Sequence, residues 1–191
     1  MKIGVLALQG AFIEHIHCLQ KLGVEAITVR KKDEAARLDG LIIPGGESTT
    51  MLKLIRLYHL EEPIKNLAGE GKPVLGTCAG MILMASRISP GSLEPLGLMD
   101  MTIRRNAFGR QVDSFETSLR VEGLEGTPFQ AIFIRAPLIS QVGEKVEVLA
   151  RLADGTIVAA RQANRLALAF HPELGGDLRL HRYFLNMAAA A

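Results

Sequence analysis

Tryptophan is absent from this chain of 191 residues, and aromatic residues make up only 5% of it. A base-stacking platform for nucleic acid is therefore not expected. Neither sign of charge is in excess, and a formal net charge of +2 is too small for an electrostatic nucleic-acid footprint. Cysteine is scarce. Two residues, Cys18 and Cys78, are too few for a disulfide scaffold, and a reduced, cytoplasmic setting is the default. No apolar stretch approaches the length of a membrane span. Lys2 followed by the run Ile3–Leu8 imitates a signal peptide, but the run is short and ends at Gln9-Gly10, with Glu14 soon after. A buried first strand accounts for it better. Glycine-rich phosphate loops of the Walker A or GxGxxG kind are missing as well.

What is present is ordinary in bulk: 48% hydrophobic and 22% charged residues, enough for one domain over residues 1–191 with a substantial core. The first half alternates strand and helix. Ile3–Leu8, Val24–Val29, Leu41–Ile43 and Val74–Gly76 read as strands. Ala11–Leu22, Ser48–Tyr58 and Pro63–Gly69 read as helices, with Ser48 or Thr49 as N-cap of the second. This rhythm predicts an α/β fold with a parallel sheet covered on both faces. The second half holds short β-like runs at Met99–Arg104, Phe115–Val121, Ala131–Arg135, Val146–Leu152, Ile157–Gln162 and Leu166–Phe170, with a hairpin signal at Asp154-Gly155. A helix from about Asp177 to Met187 closes the chain, and the terminal Ala188–Ala191 is assigned no function.

The stretch that carries chemistry is Gly76-Thr77-Cys78-Ala79-Gly80, between the apolar run Pro73-Val74-Leu75 and the helix-like run Met81–Ala85. Strand, sharp turn, nucleophile and helix in this order make a nucleophile elbow. The glycines remove Cβ atoms that would clash with a strained turn, and the following helix favours thiolate. Most free cysteines are buried and inert. These neighbours reverse that expectation for Cys78, whereas Cys18 keeps it as a helix residue near the core.

A cysteine nucleophile needs a base. Of His15, His17, His59, His171 and His181, only His171 follows a predicted core strand at its functional end. Glu173, two residues on and across the stiff Pro172, is placed to orient it, which gives a Cys-His-Glu triad. The turn Pro44-Gly45-Gly46 offers backbone N–H groups that, with Ala79, suit an oxyanion. In an open α/β sheet the site lies beyond the carboxyl ends of the strands. The loops at Gln9–Ala11, Pro44–Ser48, Cys78 and His171–Glu173 are thus expected to converge. His15, His17 and Cys18 do not read as a metal site, because residues i and i+2 on a helix face about 200° apart. The helix that carries them reads instead as a surface or partner-facing one. Arg104, Arg105 and Arg110, beside Asn106 and Gly109, are either a solvated loop or an anion site.

The elbow GTCAG, the loop PGGEST and the closing HPE together resemble the signature of triad (class I) glutamine amidotransferases. Finer matches lie in IGVLALQGAFIEHI, LIIPGGESTTM, RRNAFGRQVDSFE, FIRAP and FHPEL. They resemble the family of glutaminase subunits of the two-component pyridoxal 5′-phosphate synthase, from Ile3 to about Phe184. That resemblance implies a three-layer α/β sandwich with a mostly parallel, flavodoxin-like central sheet and a smaller antiparallel β insert. It implies hydrolysis of L-glutamine to glutamate and ammonia by Cys78, His171 and Glu173, with Gly46 and Ala79 as oxyanion hole. Gly46, Glu47, Ser48, Arg105, Ile134 and Arg135 carry over as glutamine-binding positions. No cofactor and no metal are implied. The implied partner is a (β/α)8-barrel synthase subunit that receives the ammonia and, given the missing phosphate loops, also binds the sugar phosphates. Two other readings stay open on sequence alone: a cysteine hydrolase or redox-stress protein on a similar sandwich, and a catalytically silent regulatory subunit.

Overall fold

The structure is a computed structural model that describes residues 1–91, 93–105 and 114–189. Asn106, Gly109 and Arg110, most of the segment RRNAFGRQVDSFE, and the terminal Ala190 and Ala191 lie outside the described residues.

Four apolar segments form the centre of the sheet: β1 (Lys2–Leu6), β3 (Gly40–Ile43), β4 (Val74–Thr77) and β12 (Arg165–Leu168). Nearly every residue in them is buried. Such unbroken apolar runs are what a parallel strand needs when helices cover both faces. With β2 (Glu25–Val29) at one edge they stand in the order β2-β1-β3-β4-β12, all parallel. The helices are α1 (Phe12–Lys21), α2 (Ser48–Leu57), α3 (Glu61–Gly69), α4 (Ala79–Met84) and α5 (Arg179–Ala189). In α2 the buried residues Ser48, Met51, Leu52 and Ile55 recur at helical spacing and face the core.

The second half divides between the central sheet and the expected smaller antiparallel insert. Beyond β12 the same sheet continues through β11 (Ile157–Gln162), β9 (Leu138–Val142), β6 (Met99–Arg104) and β5 (Ala85–Ile88). β10 (Glu147–Arg151) pairs antiparallel with β11 across the predicted hairpin. β7 (Ser114–Leu119) and β8 (Phe129–Ile134) form that insert, a small antiparallel sheet of their own. In β6 and β8 burial alternates, so one face is less covered there than in the parallel centre.

Two strands are absent from the sequence reading. β5 begins where the elbow helix stops, at Ala85 with φ −61° and ψ 159°. Its apolar start had been read as helix. β9 carries exposed Ser140 and Gln141, which dilute its alternation. The N-cap of α2 also differs from expectation. It is Glu47, whose carboxylate accepts from the N–H groups of Thr49 and Thr50. Its side chain reaches two of the free N–H groups of the first turn, and Ser48 becomes the first helical residue.

Register decides where the chemistry sits. Leu168 of β12 lies opposite Thr77 of β4. The N–H of Cys78 donates to the Leu168 carbonyl at 2.8 Å, which extends the ladder by one step. Two segments far apart in sequence therefore leave the sheet side by side, one into the elbow and the other into His171-Pro172-Glu173.

Candidate active site

Cys78 has φ +49° and ψ −105°. A non-glycine residue held there costs on the order of 1–3 kcal/mol and persists only where its surroundings enforce it. The surroundings here are tight. A Cβ on Gly80 would overlap the Ile43 carbonyl oxygen, and one on Gly76 would lie 2.5 Å from Met84 Sδ and 2.7 Å from the Gly80 carbonyl carbon. The two glycines are therefore needed less for their own φ than to let β3, β4 and α4 approach one another. Arg135, with φ +44°, is a second strained residue at the same place.

His171 is fixed on two sides. Its backbone N–H donates to the Ile132 carbonyl at 2.8 Å. Its Nδ1 lies 2.6 Å from Glu173 Oε1, and the Glu173 side chain is inaccessible to solvent. Burial acts to lower the His171 pKa, but hydrogen bonds to Cys78 and Glu173, with their charges, outweigh it and raise it to about 10. The imidazole thus holds its second proton through the neutral range. The Cys78 thiol also points to the Ile134 carbonyl, 3.9 Å away.

The four loops expected to converge line one cavity of about 430 Å3. Gly46, Glu47, Ser48, Cys78, Ala79, Arg105, Ile134, Arg135 and His171 all contribute to its wall. Of the sequence-predicted residues only Glu173 stays behind the wall, in contact with His171. Glu47 is held to a pKa of about 2; its slight burial opposes this, and hydrogen bonds from Thr50 and Thr49 prevail. Its carboxylate faces Arg105 at 3.8 Å. Among the described residues no group of three or more His, Cys, Asp or Glu is arranged to hold a metal ion.

The sequence reading placed the Gln9 loop in the wall but missed Ile82, Pro137 and Leu174 there. Gln9 Oε1 accepts from the Glu47 N–H at 2.7 Å, and the Gly45 carbonyl accepts from the Ala11 N–H at 3.2 Å. The glycine turn is thereby tied to the loop that precedes α1. His15 was misread: it is fully buried, not on a surface or partner-facing stretch. The signal was present, because His15, Cys18 and Leu19 share one helix face at i, i+3 and i+4.

Gly45 offers a direct test of the geometry. A Cβ there would stand 2.5 Å from His171 Cε1 and 3.4 Å from Cys78 Cβ. Retreat of the ring would stretch its 2.6 Å contact with Glu173. Gly45→Ala is expected to lower kcat of the Cys78-dependent reaction by about a hundredfold, the scale of a reacting group displaced by about 1 Å. A steady-state assay with wild-type kcat would show the ring to be loosely held.

The family model of the SNO glutamine amidotransferase family matches residues 5–190. A protein of Dehalococcoides mccartyi called pyridoxal 5′-phosphate synthase subunit PdxT is 60% identical, over 98% of this chain and 97% of its own. A protein of the same name from Herpetosiphon aurantiacus is also 60% identical, over 98% of this chain and all of its own length. A solved structure described as a glutamine amidotransferase superposes with a TM-score of 0.93 at 51% identity, covering 98% of both chains.

Proposed function

The chain belongs to the SNO glutamine amidotransferase family, and on that premise we propose that it hydrolyses L-glutamine to supply ammonia to a pyridoxal 5′-phosphate synthase. The observation that carries this reading is the meeting of Cys78 and His171 at one cavity, with Glu173 on the far side of the imidazole. Cys78 attacks the side-chain amide carbon as thiolate. The N–H groups of Gly46 and Ala79 receive the oxyanion, where each donor is worth about 3 kcal/mol. His171 gives its proton to the departing ammonia. The glutamyl thioester is then attacked by water that the neutral imidazole deprotonates, and glutamate leaves. Arg105 and Arg135 suit the α-carboxylate, and Glu47, ionised at any working pH, suits the α-ammonium. Ser48 and Ile134 complete the glutamine pocket.

Ammonia lost to solvent would be wasted, so turnover is coupled to docking on the barrel synthase subunit. The tie between the Gly45 carbonyl and Ala11 supports this gating, since movement of the loop before α1 resets the Gly45-Gly46 peptide. The elbow helix offers no docking face, because all six of its residues are buried. Ile13 on α1 and Leu174 on the cavity wall do, at 51% and 42% exposure.

A glutamine-analogue electrophile is expected to alkylate Cys78, with the adduct located by peptide mass spectrometry. Failure to label would favour a cysteine hydrolase of other specificity. Glutamine turnover is expected to rise when the synthase subunit is added, and equal rates with and without it would refute the gating.

A further inference from the structure

Behind Glu173, away from the cavity, lies a buried polar cluster that the proposed reaction leaves unused. The two carboxylate oxygens are not equivalent. Oε1 meets His171, but Oε2 has no hydrogen bond among the described residues, in a side chain with no solvent exposure. An ionised oxygen in that position needs a donor facing it. Nε2 of His15 stands 3.4 Å from Oε2 and 3.2 Å from Thr77 Oγ1. His15 Nδ1 in turn lies 2.9 Å from His181 Nε2, and His181 Nδ1 is buried without a hydrogen-bond partner among the described residues.

Only one placement of protons suits this row. With its proton on Nε2, His15 directs an N–H at Oε2 and Thr77, and its bare Nδ1 accepts from the Nε2–H of His181. The unpartnered His181 Nδ1 is then a bare acceptor. In the opposite arrangement His15 turns a lone pair toward the carboxylate, and His181 keeps a buried N–H that donates to nothing, the rarer and more costly orphan. Both rings are neutral. Burial holds His181 at about 4, and burial followed by the charges of His181 and His171 holds His15 well below its ordinary value. Cys18, one turn along α1, adds a second contact to the same residue, its thiol 3.8 Å from the Glu173 backbone carbonyl.

We infer that His15 is a positioning residue, held by His181 as the Nε2–H tautomer, which turns the Glu173 carboxylate so that Oε1 stays on His171. At 3.4 Å the contact is longer than a strong hydrogen bond, so His15 acts through the direction of its N–H dipole. The inference rests on the triad reading above. Besides Glu173 itself, the titratable groups that act on His15 and Cys18 are His171 on the cavity side, Glu14 and Lys21 on α1, and His181 on α5.

Nitrogen NMR of the wild-type protein tests the tautomer without reference to catalysis. His15 is expected to carry its proton on Nε2 and not to titrate between about pH 5 and about pH 8. A proton on Nδ1, or a titration in that range, overturns the inference. His15→Leu is expected to lower kcat roughly tenfold to a hundredfold, leave the glutamine KM nearly unchanged, and move the alkaline limb of kcat to lower pH. His15→Gln, whose amide puts an N–H near the place of Nε2, is expected to recover most of both losses. Equal losses in the two variants with an unmoved alkaline limb would mean that His15 only fills space, and would overturn the inference. Cys78→Ala, measured alongside, separates the two levels. If it keeps turnover, the triad reading falls and the role of His15 with it. If it is inactive while His15→Leu is as active as wild type, only the role of His15 is lost.

Discussion

Cys78→Ala is expected to reduce ammonia release from glutamine by about 10⁴-fold or more, the scale on which loss of a nucleophile is felt when its partners act as a unit. The same change is expected to leave thermal unfolding within a few degrees of wild type. The sulfur contributes little to the fold, since its contact with the Ile134 carbonyl is long at 3.9 Å. The strained φ of +49° is imposed by the packing of β3, β4 and α4, and alanine inherits it without a new clash. A coupled glutamate assay together with a melting curve checks both halves. Near-normal ammonia release from a folded Cys78→Ala protein would end the thioester mechanism.

Glu173→Gln is expected to have the next largest effect, a fall in kcat of roughly 10² to 10⁴-fold, because a neutral isostere no longer secures the imidazole in its charged, oriented form. The pH dependence carries the sharper signature. His171 has a pKa raised from 6.5 to about 10 in the folded protein. A raised value means that protonation stabilises the fold. That contribution is fully present below about pH 6.5 and is lost as pH rises to about 10. The proton needed by departing ammonia is lost over the same range, so the wild-type alkaline limb is expected near pH 10. Removing the Glu173 charge and its hydrogen bond takes away two of the influences that raise the value, and the limb of the variant moves toward neutrality. The pH profile of kcat, with unfolding followed at several pH values, measures both. An alkaline limb that stays in place would show that Glu173 does not support the imidazolium.

Legibility from sequence followed the range of the interaction. The elbow at Cys78 was readable because glycine spacing, strand and helix are all local. The HPE turn was readable because a histidine and a carboxylate two residues apart at a strand end share one side. The cap of α2 was not, because Glu47 outcompetes Ser48 by side-chain reach, which composition does not reveal. The buried face of α1 was legible but easily passed over, because His15, Cys18 and Leu19 mark it at i, i+3 and i+4 while two of the three are polar.

By itself the sequence determined an α/β fold with its loops at one edge, and singled out Cys78, His171, Glu173 and the glycine turn as the residues to meet there. Only the tertiary structure decided that the last strand lies beside β4 in a register that sets His171 next to Cys78. It also decided that α1 and α5 bring His15 and His181 up behind Glu173. The physical reason is that pairing between distant strands and burial between layers are set by how the whole core fills, and no local pattern of residues encodes that.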